Sequence, residues 1–335
     1  MRSSTTTASS ISLGLLAALA LAVGLLVGSC GAPAERPTLP ARPRATASSA
    51  FWDQWSDGRA EMSSYRGTVA RYGAPRPAEL VLIYVTEPLD RETLVKDDDA
   101  PPGQRVNVIK LNAALRFQTG IYPYSILTST FAPVDAYYPE RFAPVKITMS
   151  AQEWCGHVFA GVWPGAGSFL SRGLSYFASE GERDESIEVP AGALYEDALP
   201  IQLRELDGPF AGGGDWEGTL VPSLWRARRD HQPLRGVPAT IRRAREGDVV
   251  RFTVRAGDYE RVLDVEATGA RRVLGWRTSD GDELRLVATE RLPYWELNGP
   301  GEEESRERIG LPRESAPGML VPREEVPPEA LPAAP

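Results

Sequence analysis

The chain has 335 residues, 42% hydrophobic and 24% charged, with 31 Gly and 29 Pro. That is enough for one large domain or two ordinary ones, and too varied for a collagen-like or wholly disordered chain. A formal net charge of -8 without a dominant cluster of Lys and Arg excludes a nucleic-acid binder of the usual kind, whose affinity comes from basic groups that displace counterions from phosphates.

The first residues carry one basic group, Arg2, then a polar run to Ser10 and an apolar stretch from Ile11 to Gly28 that ends Val27-Gly28-Ser29-Cys30. This reads as an export signal, and its length also suits an uncleaved membrane anchor. Small residues directly before a cysteine that closes an apolar segment resemble the bacterial lipobox. That resemblance implies removal of residues 1–29 and lipidation of Cys30. Gly31, in place of the aspartate of inner-membrane retention, implies an outer-membrane lipoprotein facing the periplasm. Residues 30–49 are then the lipid anchor and a tether with prolines at 33, 37, 40 and 43, able to hold a domain up to roughly 60 Å from the bilayer at ~3.1 Å per residue.

Residues 50–298 form a β-rich domain. Phe51, Trp52 and Trp55 share one side of a short helix, capped by Ser48 or Ser49, that closes one end of a core; ligand stacking on Trp52 and Trp55 is the alternative. Strands follow at Leu80–Thr86, Val106–Leu111, Phe117–Ile121, Tyr124–Phe131, Val145–Met149 and Gly173–Ala178, rich in β-branched and aromatic residues and separated by Pro, Gly and Asp. No helix recurs between them, so the sheet is antiparallel.

Leu199, Leu203 and Leu206 set a helix near 195–206, with Asp197 and Pro200 at its start. It joins two possible halves, 50–190 and 215–298. Gly212-Gly213-Gly214 precedes Asp215 and Glu217 rather than Lys and Ser, so it is not a phosphate loop. Val249–Ala256, Tyr259–Ala267, Arg271–Thr278 and Glu283–Glu290 then read as a meander. Val250, Phe252 and Val254 face inward, with Leu274, Trp276, Leu284 and Leu286 continuing that face, and Arg251, Thr253 and Arg255 face water. Arg and Glu of neighbouring strands pair on the wet face. Residues 299–335 hold eight acidic and four basic residues without apolar periodicity, the composition of a disordered tail.

The fold expected is therefore mainly β, one curved antiparallel sheet or two such halves with one or two short helices. Familiar catalytic motifs are missing, and no cofactor is implied. With Cys30 lipidated, Cys155 has no disulfide partner in the chain. It lies in Glu153-Trp154-Cys155-Gly156-His157. On a strand Glu153, Cys155 and His157 would share a face about 7 Å apart at each step, too far for a thiolate–imidazolium pair without a bulge at Gly156, and a metal needs three or four ligands. The favoured reading is structural, with Trp154 in the core and Cys155 buried; an envelope enzyme or metal-binding protein using Cys155 with His157 is the alternative, and Trp154 joins Trp52 and Trp55 as a candidate ligand contact.

The segments Phe51-Trp52-Asp53-Gln54-Trp55-Ser56-Asp57-Gly58-Arg59-Ala60-Glu61, Val85-Thr86-Glu87-Pro88, Thr119-Gly120-Ile121-Tyr122-Pro123-Tyr124-Ser125, Gln152-Glu153-Trp154-Cys155-Gly156-His157 and Leu292-Pro293-Tyr294-Trp295-Glu296-Leu297-Asn298 together resemble an uncharacterised family of bacterial lipoproteins whose members often carry the name septum formation inhibitor Maf. The Ser-x-Ser-Pro-Arg loop of the true Maf nucleotide pyrophosphatases has no counterpart here, so the resemblance implies an envelope lipoprotein and no pyrophosphatase activity. The strand pattern is also similar to the half-barrels of the LolA and LolB lipoprotein carriers. The family resemblance brings no established activity or functional residues; the favoured reading is a non-catalytic binding or structural role facing the periplasm, with the membrane reached through the lipid and an apolar or envelope ligand, or an envelope protein, as partner.

Overall fold

The computed structural model describes residues 47–134, 142–205, 208–210 and 212–313. The expected signal segment 1–29, Cys30, nearly all of the tether and residues 314–335 of the tail lie outside the described residues. Among the described residues, helix α1 (Ser49–Trp55) comes first and a sheet of fifteen strands follows. The first wing is β1 (Ala60–Arg71), β2 (Ala74–Asp90), β3 (Arg105–Thr119), β4 (Tyr122–Pro133), β5 (Lys146–Glu153), β6 (Gly156–Pro164), β7 (Ser168–Ser175) and β8 (Glu182–Glu188). After β9 (Leu194–Tyr195), α2 (Leu199–Gln202), β10 (Trp216–Val221) and α3 (Leu224–Arg229), the second wing is β11 (Val237–Glu246), β12 (Val249–Ala256), β13 (Tyr259–Glu266), β14 (Val273–Thr278) and β15 (Glu283–Leu292).

Each wing is a meander, and the first strand pairs with the last: the order runs from β8 down to β1, then from β15 down to β9. The sheet is curved and does not close. The two expected halves are thus parts of one sheet. Short turns account for the antiparallel order; Tyr72 (φ 55°) and Gly73 (φ 71°) take the two left-handed positions that a two-residue turn matched to strand twist requires. The pairing of β1 with β15 depends on close backbone approach at Gly67, where a Cβ would lie 1.9 Å from the Glu283 carbonyl oxygen.

Alternation places one face of every long strand in the core. Leu80 lies opposite Leu115, and Tyr84 opposite Leu111; Leu115 faces Ile126, and Phe117 faces Tyr124. This inner face packs on Phe51 and Trp55 of α1 and on Ile201 of α2. Leu199 of α2 and Leu203 just after it pack with Phe210 and with Ile241, Phe252 and Leu263 of the second wing. A segment apolar on all sides is buried on all sides, and here it plugs the concave face between the wings. The helix expected at 195–206 is shorter, with β9 and a tight turn over Glu196–Ala198 taking its first residues.

Other differences have local causes. The expected strands 106–111 and 117–121 are one strand, β3, because Ala113 and Ala114, weak strand formers alone, are paired on both sides with β2 and β4. The strand expected at Gly173–Ala178 is β7, ending at Ser175, after which the chain turns at Tyr176 and Phe177. Leu274 does not share the inner face with Trp276: Val265 pairs with Val273 but Asp264 with Gly275, an irregularity that turns Leu274 outward. The start of the expected disordered tail is ordered: α4 (Ser305–Arg308) is followed by Ile309 and Leu311, buried against Leu292, Met62 and Val81. Two apolar residues spaced by two are too sparse a pattern to register as periodicity.

Candidate ligand cavity

Between the plug and the concave face lies a cavity of about 120 Å³. Its floor is the inner row of the first wing, including Leu80, Leu82, Leu111 and Ile126, with Leu284 and Trp276 from the last strands. The space exists because the row narrows there: Ala113 stands opposite both Leu82 and Thr128, and small side chains between larger ones leave volume the plug does not fill. Trp225 of α3 and Pro200 of α2 form part of the roof.

The remaining wall is charged. Glu196, at the start of the plug, accepts hydrogen bonds from the Tyr259 hydroxyl (2.7 Å), the Ser223 backbone N–H (3.1 Å) and the Arg226 guanidinium (2.9 Å), with Arg261 at 3.5 Å. Burial opposes its ionisation, but the guanidiniums of Arg226 and Arg261 and the Tyr259 hydroxyl outweigh it and hold the carboxyl below its ordinary range. The neighbouring Asp197 is different. It accepts the Leu224 backbone N–H at 2.9 Å, at the first turn of α3, and has no ion pair of its own among the described residues. Burial pushes its carboxyl up to about 7, with the adjacent Glu196 adding to the rise. Arg229 is held by Asp230 at 2.7 Å, by Asp280 and by Asp282 at 3.7 Å; burial also raises Asp282. The arrangement couples an apolar hollow to one carboxyl that is half neutral near pH 7, able to accept or donate a hydrogen bond.

A second buried ion cluster lies toward α1. Arg204 makes a two-pronged bond to Glu61 (2.6 and 3.1 Å), donates to the Ala270 carbonyl at 2.8 Å, and stacks over Tyr84 at 4.5 Å. Glu205, pushed up to about 7 by burial, accepts the Trp55 indole N–H at 3.4 Å.

The residues singled out from sequence fall elsewhere. Trp55 is buried core, ring against Tyr84 at 6.2 Å, and Trp52 packs on the same core; neither lines the cavity. The row of Glu153, Cys155 and His157 does not exist, because Glu153 ends β5, Gly156 begins β6 opposite it, and His157 pairs with Gln152. Trp154 and Cys155 are the exposed turn of that hairpin, so neither is core, and His157 is exposed. Among the described residues no group of three or more His, Cys, Asp and Glu is placed to hold a metal ion, and no helix is long and apolar enough to cross a membrane. Glu196 and Asp197 carried one faint signal: adjacent carboxylates directly before Ala-Leu-Pro-Ile, an apolar segment where charge is costly. Arg226 and Arg261, which complete the wall, come from other elements.

In comparisons with known proteins, the chain matches no family model and no curated protein. Among solved structures it is similar to a DUF1089 family protein from Pseudomonas aeruginosa, at 10% identity and a TM-score of 0.31, over 49% of this chain and 82% of that one. A likeness at that level carries no argument about function.

Proposed function

We propose that this protein is a lipid-anchored component of the bacterial envelope, facing the periplasm, that binds an amphipathic ligand in the cavity of its curved sheet without chemical change. The lipobox-like segment ending at Cys30 supports the anchor. The observation that carries the binding reading is the union of an apolar floor with Asp197 on the charged wall. A volume of about 120 Å³ suits a short alkyl segment or a single ring, since an apolar cavity of about 150 Å³ holds benzene. Asp197 suits a headgroup that donates a hydrogen bond, such as an amine or hydroxyl.

The test is titration calorimetry of the full chain with n-hexylamine, 1-hexanol and hexanoate. The first two should bind, hexanoate should bind at least about tenfold more weakly, and Ala113→Trp, which fills the floor, should abolish binding while preserving the fold. Absence of binding by all three, or binding indifferent to Ala113→Trp, refutes the proposal.

A further inference from the structure

In a meander, alternate turns fall at one end of the sheet. The turns after β1, β3, β5 and β7 therefore lie in a row, and each exposes a large apolar or aromatic side chain: Tyr72 (59% exposed), Ile121 (79%), Trp154 (68%) and Tyr176 (70%). They form a connected surface. Trp154 lies 6.4 Å from the Tyr122 ring, Tyr122 lies 5.9 Å from Tyr124, and the Tyr124 and Tyr72 hydroxyls are 2.8 Å apart. Tyr176 rests against the backbone of Gly156, where a Cβ would come within 2.7 Å of its ring.

Tyr72-Gly73, Gly120-Ile121 and Trp154-Cys155 carry no charge, and the turn after β7 holds its one acid, Glu180, in pairs with Arg228 and His231. Of the second wing's turns at the same end, Gly257-Asp258 keeps an exposed carboxylate, whereas Asp280 and Asp282 pair with Arg229. We infer that the turns of the first wing dock on the interfacial layer of a lipid bilayer. Trp and Tyr favour headgroup depth, where the ring is half desolvated and the N–H or O–H remains hydrogen-bonded. Anionic headgroups repel the exposed Asp258 carboxylate of the second wing, which favours contact through the first wing.

The chain outside the described residues permits this pose. Ala47 sits at the opposite end, its N–H bonded to the Val134 carbonyl beyond β4. The seventeen residues from Cys30 to Thr46 reach roughly 50 Å at ~3.1 Å per residue, and the twelve residues of β1 span roughly 40 Å. A tether leaving the far end thus reaches the bilayer on which the turns rest; this step alone rests on the anchored reading.

Cys155, at the apex beside Trp154, is a built-in reporter. The full chain is reconstituted in vesicles of phosphatidylethanolamine and phosphatidylglycerol, with Asp258→Cys placing a second thiol on an acidic turn of the same end. Alkylation by a membrane-impermeant maleimide is then read site by site by mass spectrometry. Cys155 should react roughly tenfold more slowly than the thiol at 258, and the combined replacements Tyr72→Ser, Ile121→Ser and Tyr176→Ser should remove that protection. Equal rates at the two positions with the native turns overturn the inference, whether or not the triple variant folds. Protection that persists without vesicles in a chain sedimenting as a dimer also overturns it, in favour of a second copy. The mass of Cys30 reads the anchor separately: unacylated Cys30 with Cys155 shielded on added vesicles removes the anchor and keeps the docking surface, while acylated Cys30 with reactive Cys155 does the reverse.

Discussion

The two wings share one construction and differ in finish. Strands of the first wing reach 17 residues in β2 and 15 in β3, and its turns expose aromatic and aliphatic side chains. Strands of the second wing have 6 to 10 residues, and its outer face is a lattice of guanidinium–carboxylate pairs: Arg251 with Asp264 at 2.8 Å, Arg255 with Glu260 at 2.7 Å, Arg242 with Asp215 at 3.0 Å. Inner faces alike in chemistry make both wings fold around the same plug. The outer finish decides what each can touch. One wing keeps a hydrated surface, and the other carries apolar groups suited to an interface.

The plug is where the comparison breaks most easily. Arg204 follows α2 and binds Glu61 of β1 and the Ala270 carbonyl between β13 and β14, so it holds one wing to the other. Arg204→Met should strand Glu61 and Glu205 without their counterion and cost about 3–5 kcal/mol. Denaturant unfolding should show one cooperative transition moved to lower midpoint. Two separate transitions would mean that the wings are independent folding units.

A smaller effect sharpens the role of the cavity wall. The folded Asp197 carboxyl titrates near 7, above its ordinary value of 3.8, so between those values the unfolded chain binds fewer protons and stability falls as pH rises. Its favourable contribution is complete below about pH 4 and lost through about pH 7. The advantage of Asp197→Asn over the wild type should grow between pH 5 and pH 8, by on the order of 2–3 kcal/mol at ~1.4 kcal/mol per pH unit up to pH 7. An equal difference at both pH values would show that the carboxyl stays ionised. Glu196, held low by its arginines, contributes the opposite slope in both proteins and cancels.

The smallest effect belongs to the outer lattice. Arg251→Ala should barely move the unfolding midpoint, and less still in high salt, since its pairs with Asp264 and Glu246 are solvent-exposed. A larger, salt-independent loss would make the lattice a structural element rather than a hydrated finish.

Much of the architecture was legible in the residues. Alternation at Val250, Phe252 and Val254 set the inner face of β12, the aromatics at 51 and 55 formed the expected helix, and the lack of recurring helices implied antiparallel pairing, because period and turn chemistry are local properties of the chain. The cross-strand partners of Arg251 and Arg255 followed from the same alternation. What the tertiary structure decided was where distant residues meet. Glu153, Cys155 and His157 were divided by a turn because register depends on which strands pair, and Trp154 moved from expected core to exposed apex for the same reason. Glu196 joins Arg226, Tyr259 and Arg261 across 65 residues of sequence, and no local pattern encodes that meeting. The cavity exists because Ala113 and Thr128 fall opposite one another beneath a plug donated by another part of the chain, and volume left unfilled is a property of packing alone.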